Sequence, residues 1–254
     1  MIIDRVEDEK YLANAYLVAE GPGGSGVLID GNGVVEPLLE RVEREGITIT
    51  HILLTHHHED HVLSNDRYRE RFPGVPFVGH QGTSDVLGEG SLDIVLGDGE
   101  TVRSGSLEFR AIDTPGHCQG HFAYLVGDDC FTADVLFNRT LGGHARPGGD
   151  FPQLKHSVLE VLMALPHHVR VHPGHREATT IGDEWENNLF IRLWRGLDEE
   201  GDEIVTVRDM GEGRLLVLAP DYDGGTKGLV RFPDGTEGIY FGSRITRAGE
   251  GPAA

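Results

Sequence analysis

The densest chemistry in the chain lies in Thr55-His56-His57-His58-Glu59-Asp60-His61, a His-x-His-x-Asp-His pattern that begins where the apolar run from His51 to Thr55 ends. Imidazole nitrogens and carboxylate oxygens suit zinc, iron or manganese. In an extended segment side chains repeat every second residue, so His56 and His58 point to one side and can share one ion. Asp60 and His61, past the bend, turn toward a second position. Three more ligand-type residues follow where later strands give way to loops: His117 in Thr114-Pro115-Gly116-His117, Asp134 in Thr132-Ala133-Asp134, and His175 in His172-Pro173-Gly174-His175. A patterned internal run with three later partners reads as a metal site rather than as a chance histidine cluster.

Other residues of the right type carry less. His57 and Glu59 alternate with the ligands and are expected to face away from them. Cys118 follows His117 and is expected to point elsewhere, and Cys130 lies within an apolar strand, so neither reads as a nucleophile. Two cysteines are too few for a disulfide framework. His172 reads as a strand-end residue, and His80, His144, His156, His167 and His168 as surface or structural histidines. Asp221-Tyr222-Asp223-Gly224-Gly225 lacks the spaced ligand set of a calcium loop and reads as a turn.

The elements that must position these residues follow from periodicity. Tyr11 to Val18 and Val27 to Asp30, separated by glycines, predict antiparallel strands. Val34, Leu38, Leu39 and Val42 stand at helical spacing, with Gly46 as the stop. Strands are expected at 51–55, 75–78, 101–102, 107–112, 122–126, 130–132 and 169–171. Asp150 is a plausible N-cap with Pro152 in the first turn, and Leu154, Val158, Val161 and Leu162 form an apolar stripe ending before Pro166. A further amphipathic helix is expected over 183–197. The tail turns to β: strands at 204–207, 215–219, 229–232 and 238–241, with Asp234-Gly235 as the clearest hairpin signal. This divides the chain into a catalytic unit over 1–200 and a small β-rich appendage over 203–254, closing on Gly-Pro-Ala-Ala.

Composition excludes several classes. The 254 residues are enough for one large domain. No apolar run approaches the ~20 residues of a membrane-spanning helix, and the first ten residues are too charged for a signal peptide, so a cytoplasmic protein is expected. Forty-two acids against twenty-two bases give a net charge of −20, which opposes nucleic acid and anionic membranes as partners. A small-molecule substrate is expected, with the appendage available for pairing chains into a homo-oligomer.

Taken in order, these motifs resemble the metallo-β-lactamase superfamily, and within it the hydroxyacylglutathione hydrolase (glyoxalase II) branch. The resemblance runs from about residue 10 to 196. Besides the ligand motifs it includes Leu-Phe at 136–137, Pro-Gly-Gly-Asp at 147–150 and Thr-Thr-Ile-Gly at 179–182. It implies a four-layer αβ/βα sandwich with the metals along one edge. His56, His58 and His117 would hold one ion, Asp60, His61 and His175 the second, and Asp134 would bridge. His121, in the family's Gly-His pattern, would support a ligand rather than be one. The cofactors implied are two divalent ions, zinc first and iron or manganese as alternatives.

The implied chemistry is hydrolysis. Water held between two such ions, its pKa lowered from about 15.7 toward 7, supplies hydroxide at neutral pH. That hydroxide would attack a thioester or related activated ester, with Asp60 orienting the water and Asp134 holding both ions. Alternatives are a persulfide dioxygenase using one iron, a lactonase, and a non-catalytic protein that the metals merely stabilise. His58, where flavodiiron proteins carry glutamate, disfavours oxygen reduction. The sequence departs from the branch twice. Gly142-Gly143-His144-Ala145 stands where the family often has Gly-Arg-Thr-Asp, and the tail is β-rich where glyoxalase II enzymes have a helical glutathione-binding domain.

Overall fold

A computed structural model describes residues 1–247; residues 248–254, including the Gly-Pro-Ala-Ala end of the appendage, lie outside the described residues. The first half builds one six-stranded sheet: β1 (Ile2–Glu7), β2 (Asn14–Ala19), β3 (Ser25–Ile29), β4 (Thr48–Leu53), β5 (Phe77–His80) and β6 (Ile94–Leu96), in that spatial order. The β1–β2–β3 pairs are antiparallel, and β3 to β6 are parallel. A second six-stranded sheet is built from β7 (Thr101–Ser104), β8 (Leu107–Asp113), β9 (Phe122–Val126), β10 (Asp129–Ala133), β13 (Arg170–Pro173) and β14 (Thr179–Thr180), with the two-stranded hairpin of β11 (Leu136–Phe137) and β12 (Thr140–Leu141) between β10 and β13 in sequence.

Three apolar clusters fix the layers. Alternate residues of β2 bury in opposite directions, as strand geometry requires. Tyr16 and Val18, with Val27, Leu53 and Val78, meet Phe109, Phe122, Tyr124 and Phe131 between the two sheets. Ala15, Leu17 and Ala19 face outward onto Leu38, Leu39 and Val42 of α1 (Glu36–Glu45) and Tyr68 of α3 (Asn65–Arg71), with the short α2 (Glu59–Val62) preceding α3. On the far side, Ala123, Cys130 and Val171 carry Leu154 of α5 (Phe151–His156), Ile181 of α6 (Ile181–Asn187) and Phe190 and Ile191 of α7 (Leu189–Trp194). Helix, sheet, sheet, helix is the four-layer αβ/βα sandwich.

Several predicted ends shift for local reasons. Gly46 does terminate α1, in the left-handed region at φ 62° and bonded to the carbonyls of Glu43 and Val42. Val34, however, is 39% exposed and precedes the helix; Val35 is the residue that packs. Asp150 caps α5 by accepting from the Gln153 N–H, and the chain then loosens into a π-helical turn over Ser157–Leu162 that keeps Val158 and Leu162 buried. The single helix expected over 183–197 is two. Asn188 is extended, at φ −72° and ψ 118°, and its side chain accepts from the Phe190 and Ile191 N–H groups, starting a new helix. The sequence also missed β1, whose residues are largely half-buried and do not alternate cleanly, and α4 (Gln81–Leu87), which His80 caps from outside by accepting from Gly82 N–H.

The C-terminal sheet has five strands: β15 (Glu203–Val207), β16 (Gly211–Pro220), β17 (Thr226–Arg231), β18 (Glu237–Phe241) and β19 (Ile245–Arg247), ordered β18-β17-β16-β15-β19. One face carries a small core of Val205, Val207, Val230 and Tyr240. The other is continuous with the sandwich, because Leu216, Ala219, Leu229 and Ile239 belong to the same cluster as Leu154 and Phe190. Among the described residues no helix is long and apolar enough to cross a membrane.

Candidate metal centre

All seven predicted ligands meet at one edge of the sandwich, five in the segments that follow strand ends and two in a short helix. β4 runs out at Leu53 and the extended segment beyond it places the His56 Nε2 3.1 Å from the His58 Nδ1. The loop after β8 brings the His117 Nε2 within 2.9 Å of the same His58 nitrogen. Asp60 and His61 sit in the first turns of α2. Asp134 follows β10, with Oδ1 3.2 Å from His61 Nε2 and Oδ2 3.3, 3.5 and 3.9 Å from the Nε2 atoms of His175, His117 and His56. His175 follows β13 and lies 3.6 Å from the Asp60 carboxylate. Asp134 thus lies within 4 Å of nitrogens from both groups.

The proton inventory shows why these atoms call for a cation. His117 Nδ1 donates to the Gly143 carbonyl at 2.7 Å, so its Nε2 carries a bare lone pair. His56 Nδ1 lies 3.0 Å from the Thr55 hydroxyl. Three imidazole nitrogens therefore converge with too few protons between them, close to the ~3.3 Å spacing of two nitrogens on one tetrahedral zinc. His61 Nε2 and Asp134 Oδ1 are buried without hydrogen-bond partners, as is the His175 Nδ1; such groups are costly unless something satisfies them. Burial pushes His56 and His117 well below the ordinary imidazole range and His58 to about 3, so all three imidazoles stand neutral, as metal ligation would require. Burial alone would raise Asp134, but His175 and His61 hold it well below the usual carboxylate range. The donor set fits divalent metal.

Supporting groups fix the ligands, and not all were foreseen. His121 is bonded to the backbone of the candidate ligand Asp134. Its Nε2 accepts from the Asp134 backbone N–H at 3.2 Å while Nδ1 meets the Thr114 hydroxyl at 2.9 Å. Asp30 was not singled out as a site residue, although it directly follows β3. It is 3% exposed and accepts from the Thr55 N–H (2.8 Å), the Thr55 hydroxyl (2.7 Å) and His61 Nδ1 (2.9 Å), which leaves His61 Nε2 free to ligate. The signal that could have found it is a carboxylate directly after a buried strand; the positive φ of 56° is visible only in the fold. Asn14 and Tyr16 pin the His175 loop, donating to the Pro173 carbonyl at 2.9 and 2.7 Å.

Asp30→Ala strands three donors in the core. It is expected to weaken metal binding about 10- to 100-fold and to lower the stability of the metal-free protein by about 3 kcal/mol. Chelator competition and denaturant unfolding measure the two effects. An unchanged metal affinity would show that His61 needs no orienting carboxylate.

Other sequence expectations are corrected. Cys118 does not point away: its Sγ lies within 4.8 Å of the His56, His58 and His117 ligand atoms, because Gly116 to Gly120 is a bend and neighbours in a bend do not alternate. Burial pushes its thiol far up, so it remains a poor nucleophile. His172 is no simple strand cap. It pairs with buried Asp129 at 2.7 Å and stacks on Phe131. His144, for which the sequence names no partner, accepts from the Ile239 N–H of β18 at 3.1 Å and packs on Tyr240.

That contact explains the departure at 142–145, where the loop after the β11–β12 hairpin is tailored to the C-terminal sheet. The sheet in turn reaches the metal edge. Tyr222 stacks on His175 with ring centroids 4.3 Å apart, and Arg176 Nε donates to the Tyr222 carbonyl. Lys227, 1% exposed, donates to the Leu141 carbonyl at 2.6 Å and pairs with Asp221 at 3.0 Å. Asp221 thus serves as the partner of a buried lysine. A cavity of about 90 Å³ opens over the site, lined on one side by His58, Asp60, His117, Asp134 and His175 and on the other by residues of the C-terminal sheet.

Residues 9–175 match the metallo-beta-lactamase superfamily. The chain belongs to that superfamily. Its relatives within the superfamily differ in function. A probable polyketide biosynthesis zinc-dependent hydrolase of Bacillus velezensis is 27% identical over 182 residues, 70% of this chain and 81% of that one. A hydroxyacylglutathione hydrolase of Nitrobacter hamburgensis is 33% identical over 141 residues, and this chain spans about half of it, 53%, while the match covers 55% of this chain. Among solved structures, ETHE1 from Myxococcus xanthus superposes with a TM-score of 0.68 at 32% identity over 75% of this chain and 84% of that one. TTHA1623 in a di-iron-bound form superposes at 0.64 and 33%, covering 74% and 99%. The superfamily match ends at the candidate ligand His175, before the C-terminal sheet.

Proposed function

We propose that this chain is a dinuclear metallohydrolase of thioesters or related activated esters. The observation that carries the proposal is the carboxylate of Asp134 set between two groups of ligand-type side chains, His56, His58 and His117 on one side and Asp60, His61 and His175 on the other. Two divalent ions, zinc or iron, would supply Lewis acidity and a water of lowered pKa. Similarity to a zinc-dependent hydrolase and to a hydroxyacylglutathione hydrolase supports hydrolysis as the reaction class.

The remaining work falls to side chains of this protein. Asp60, 13% exposed at the side chain and lining the cavity, is the carboxylate placed to hold a proton of the attacking water. Phe137, Ile239 and Phe241 give the cavity apolar walls that keep bulk water from the scissile bond. Asp30 and His121 hold their partners without touching substrate.

The test is metal content of protein purified without added metal, followed by assay of the same sample on thioesters and lactones. Two divalent ions per chain, with thioester hydrolysis lost to chelator and restored by metal, are expected. One iron per chain, persulfide-dependent oxygen uptake and no hydrolysis would overturn the reading.

A further inference from the structure

The wall of the cavity facing the metal edge is supplied by the C-terminal sheet, through Tyr222, Lys227, Ile239, Tyr240, Phe241 and Arg244. Its charge runs against that of the whole protein. In a chain of net charge −20, this cavity is lined by three cationic side chains, Arg146, Lys227 and Arg244, and its carboxylates are the candidate ligands Asp60 and Asp134.

Two of the three cations, Arg146 and Arg244, are poorly neutralised, while Lys227 is held by buried Asp221. Among the described residues the Arg146 side chain makes no ion pair or hydrogen bond, although acids outnumber bases almost two to one and most other arginines find a carboxylate. The acidic partner of Arg244 is Asp209, 80% exposed and 3.7 Å away, a pair worth little in water. Lys227 spends two of its three donors on Leu141 and Asp221. Arg146 is exposed at the mouth, Arg244 is half-buried and Lys227 is buried. The positive groups thus run from solvent into the cavity, an arrangement that draws an anion inward.

We infer that the C-terminal sheet and the 142–149 loop together form a specificity pocket for an ester whose acyl or thiol part carries an anionic group, held by Arg146 and Arg244. The apolar stretch of Phe137, Ile239 and Phe241 accommodates the chain between that group and the scissile bond. This inference rests on the hydrolase reading above for the bond that breaks, and on the cavity alone for the charge that is recognised. His144, bonded to β18, couples the loop that carries Arg146 to the sheet that carries Arg244.

The experiment compares three thioesters on the metal-loaded enzyme: an acetyl ester of N-acetylcysteamine, its succinyl counterpart, and an acetyl ester of 3-mercaptopropionate. One of the two anionic esters is expected to exceed the neutral one in kcat/KM by about tenfold or more, mainly through KM, and which one it is locates the anion on the acyl or the thiol side. In an Arg146→Gln/Arg244→Gln variant that ratio is expected to fall to within about twofold of one, and added salt should erode the wild-type ratio in the same direction. A neutral ester cleaved as well as both anionic ones, or a preference that survives the double substitution, overturns the inference and leaves the hydrolase reading standing. If no thioester is cleaved, the hydrolase reading falls, and calorimetric titration with glutarate against its neutral diamide, glutaramide, decides the pocket. Glutarate bound tighter than glutaramide by the wild type, with that margin lost in the double variant, supports it, and equal binding overturns it.

Discussion

An Asp134→Ala variant is expected to lose at least one of two bound ions and to fall by about 10³-fold or more in kcat/KM on a thioester, equivalent to some 4 kcal/mol of transition-state stabilisation. The magnitude follows from position. The carboxylate lies 3.2 to 3.9 Å from nitrogens of His61, His175, His117 and His56, so its removal takes a ligand from both groups at once and deletes the negative charge that offsets two cations. The fold should survive, because the side chains that pair with the carboxylate are all candidate ligands and its Oδ1 has no hydrogen-bond partner. The backbone N–H that holds residue 134 to His121 is untouched. Elemental analysis, steady-state kinetics and circular dichroism on one preparation check all three points. A variant that keeps two ions and activity within about tenfold of wild type (1.4 kcal/mol) would sink the bridging role of Asp134.

Gly174→Ala is the second large effect, and it works through space alone. A Cβ at residue 174 would stand 2.0 Å from Asp134 Oδ1 and 3.0 Å from His61 Cε1, well inside van der Waals contact, so the methyl would displace the carboxylate proposed to bridge the ions. The backbone cannot yield, since the Gly174 N–H donates to the Ala133 carbonyl at 2.9 Å and its own carbonyl accepts from the Asn14 N–H at 2.7 Å. The expected outcome is loss of about 1–3 kcal/mol in stability from overpacking together with metal binding weakened by at least the 10- to 100-fold typical of a lost supporting contact. Thermal unfolding with and without metal separates the two. A variant whose metal-dependent gain in Tm equals that of wild type would show that the carboxylate can move aside.

Both predictions reach residues whose importance is of different legibility. Asp134 could be named from its own neighbourhood, a carboxylate directly after an apolar strand in a chain that already showed His-x-His-x-Asp-His. Gly174 stands beside a ligand in Pro173-Gly174-His175, but that its missing side chain is the space taken by Asp134 is a fact about two strand ends forty residues apart.

By itself the sequence determined what is local: the ligand types and their spacing, the cap at Asp150, the stop at Gly46, the strand periodicities and the β character of the tail. Each depends on neighbours within a few residues, where backbone geometry makes spacing equivalent to direction. The tertiary structure alone decided what depends on distant partners. Asp30 became the orienting carboxylate of His61, His144 the link between loop and sheet, Lys227 a buried cation against Leu141 and Asp221, and the β-rich tail one wall of the cavity. Apart from the local Lys227–Asp221 pair, these pairings join groups thirty-one to ninety-five residues apart. They are set by how whole sheets pack, because burial makes an unpartnered polar group costly only after the chain has closed around it.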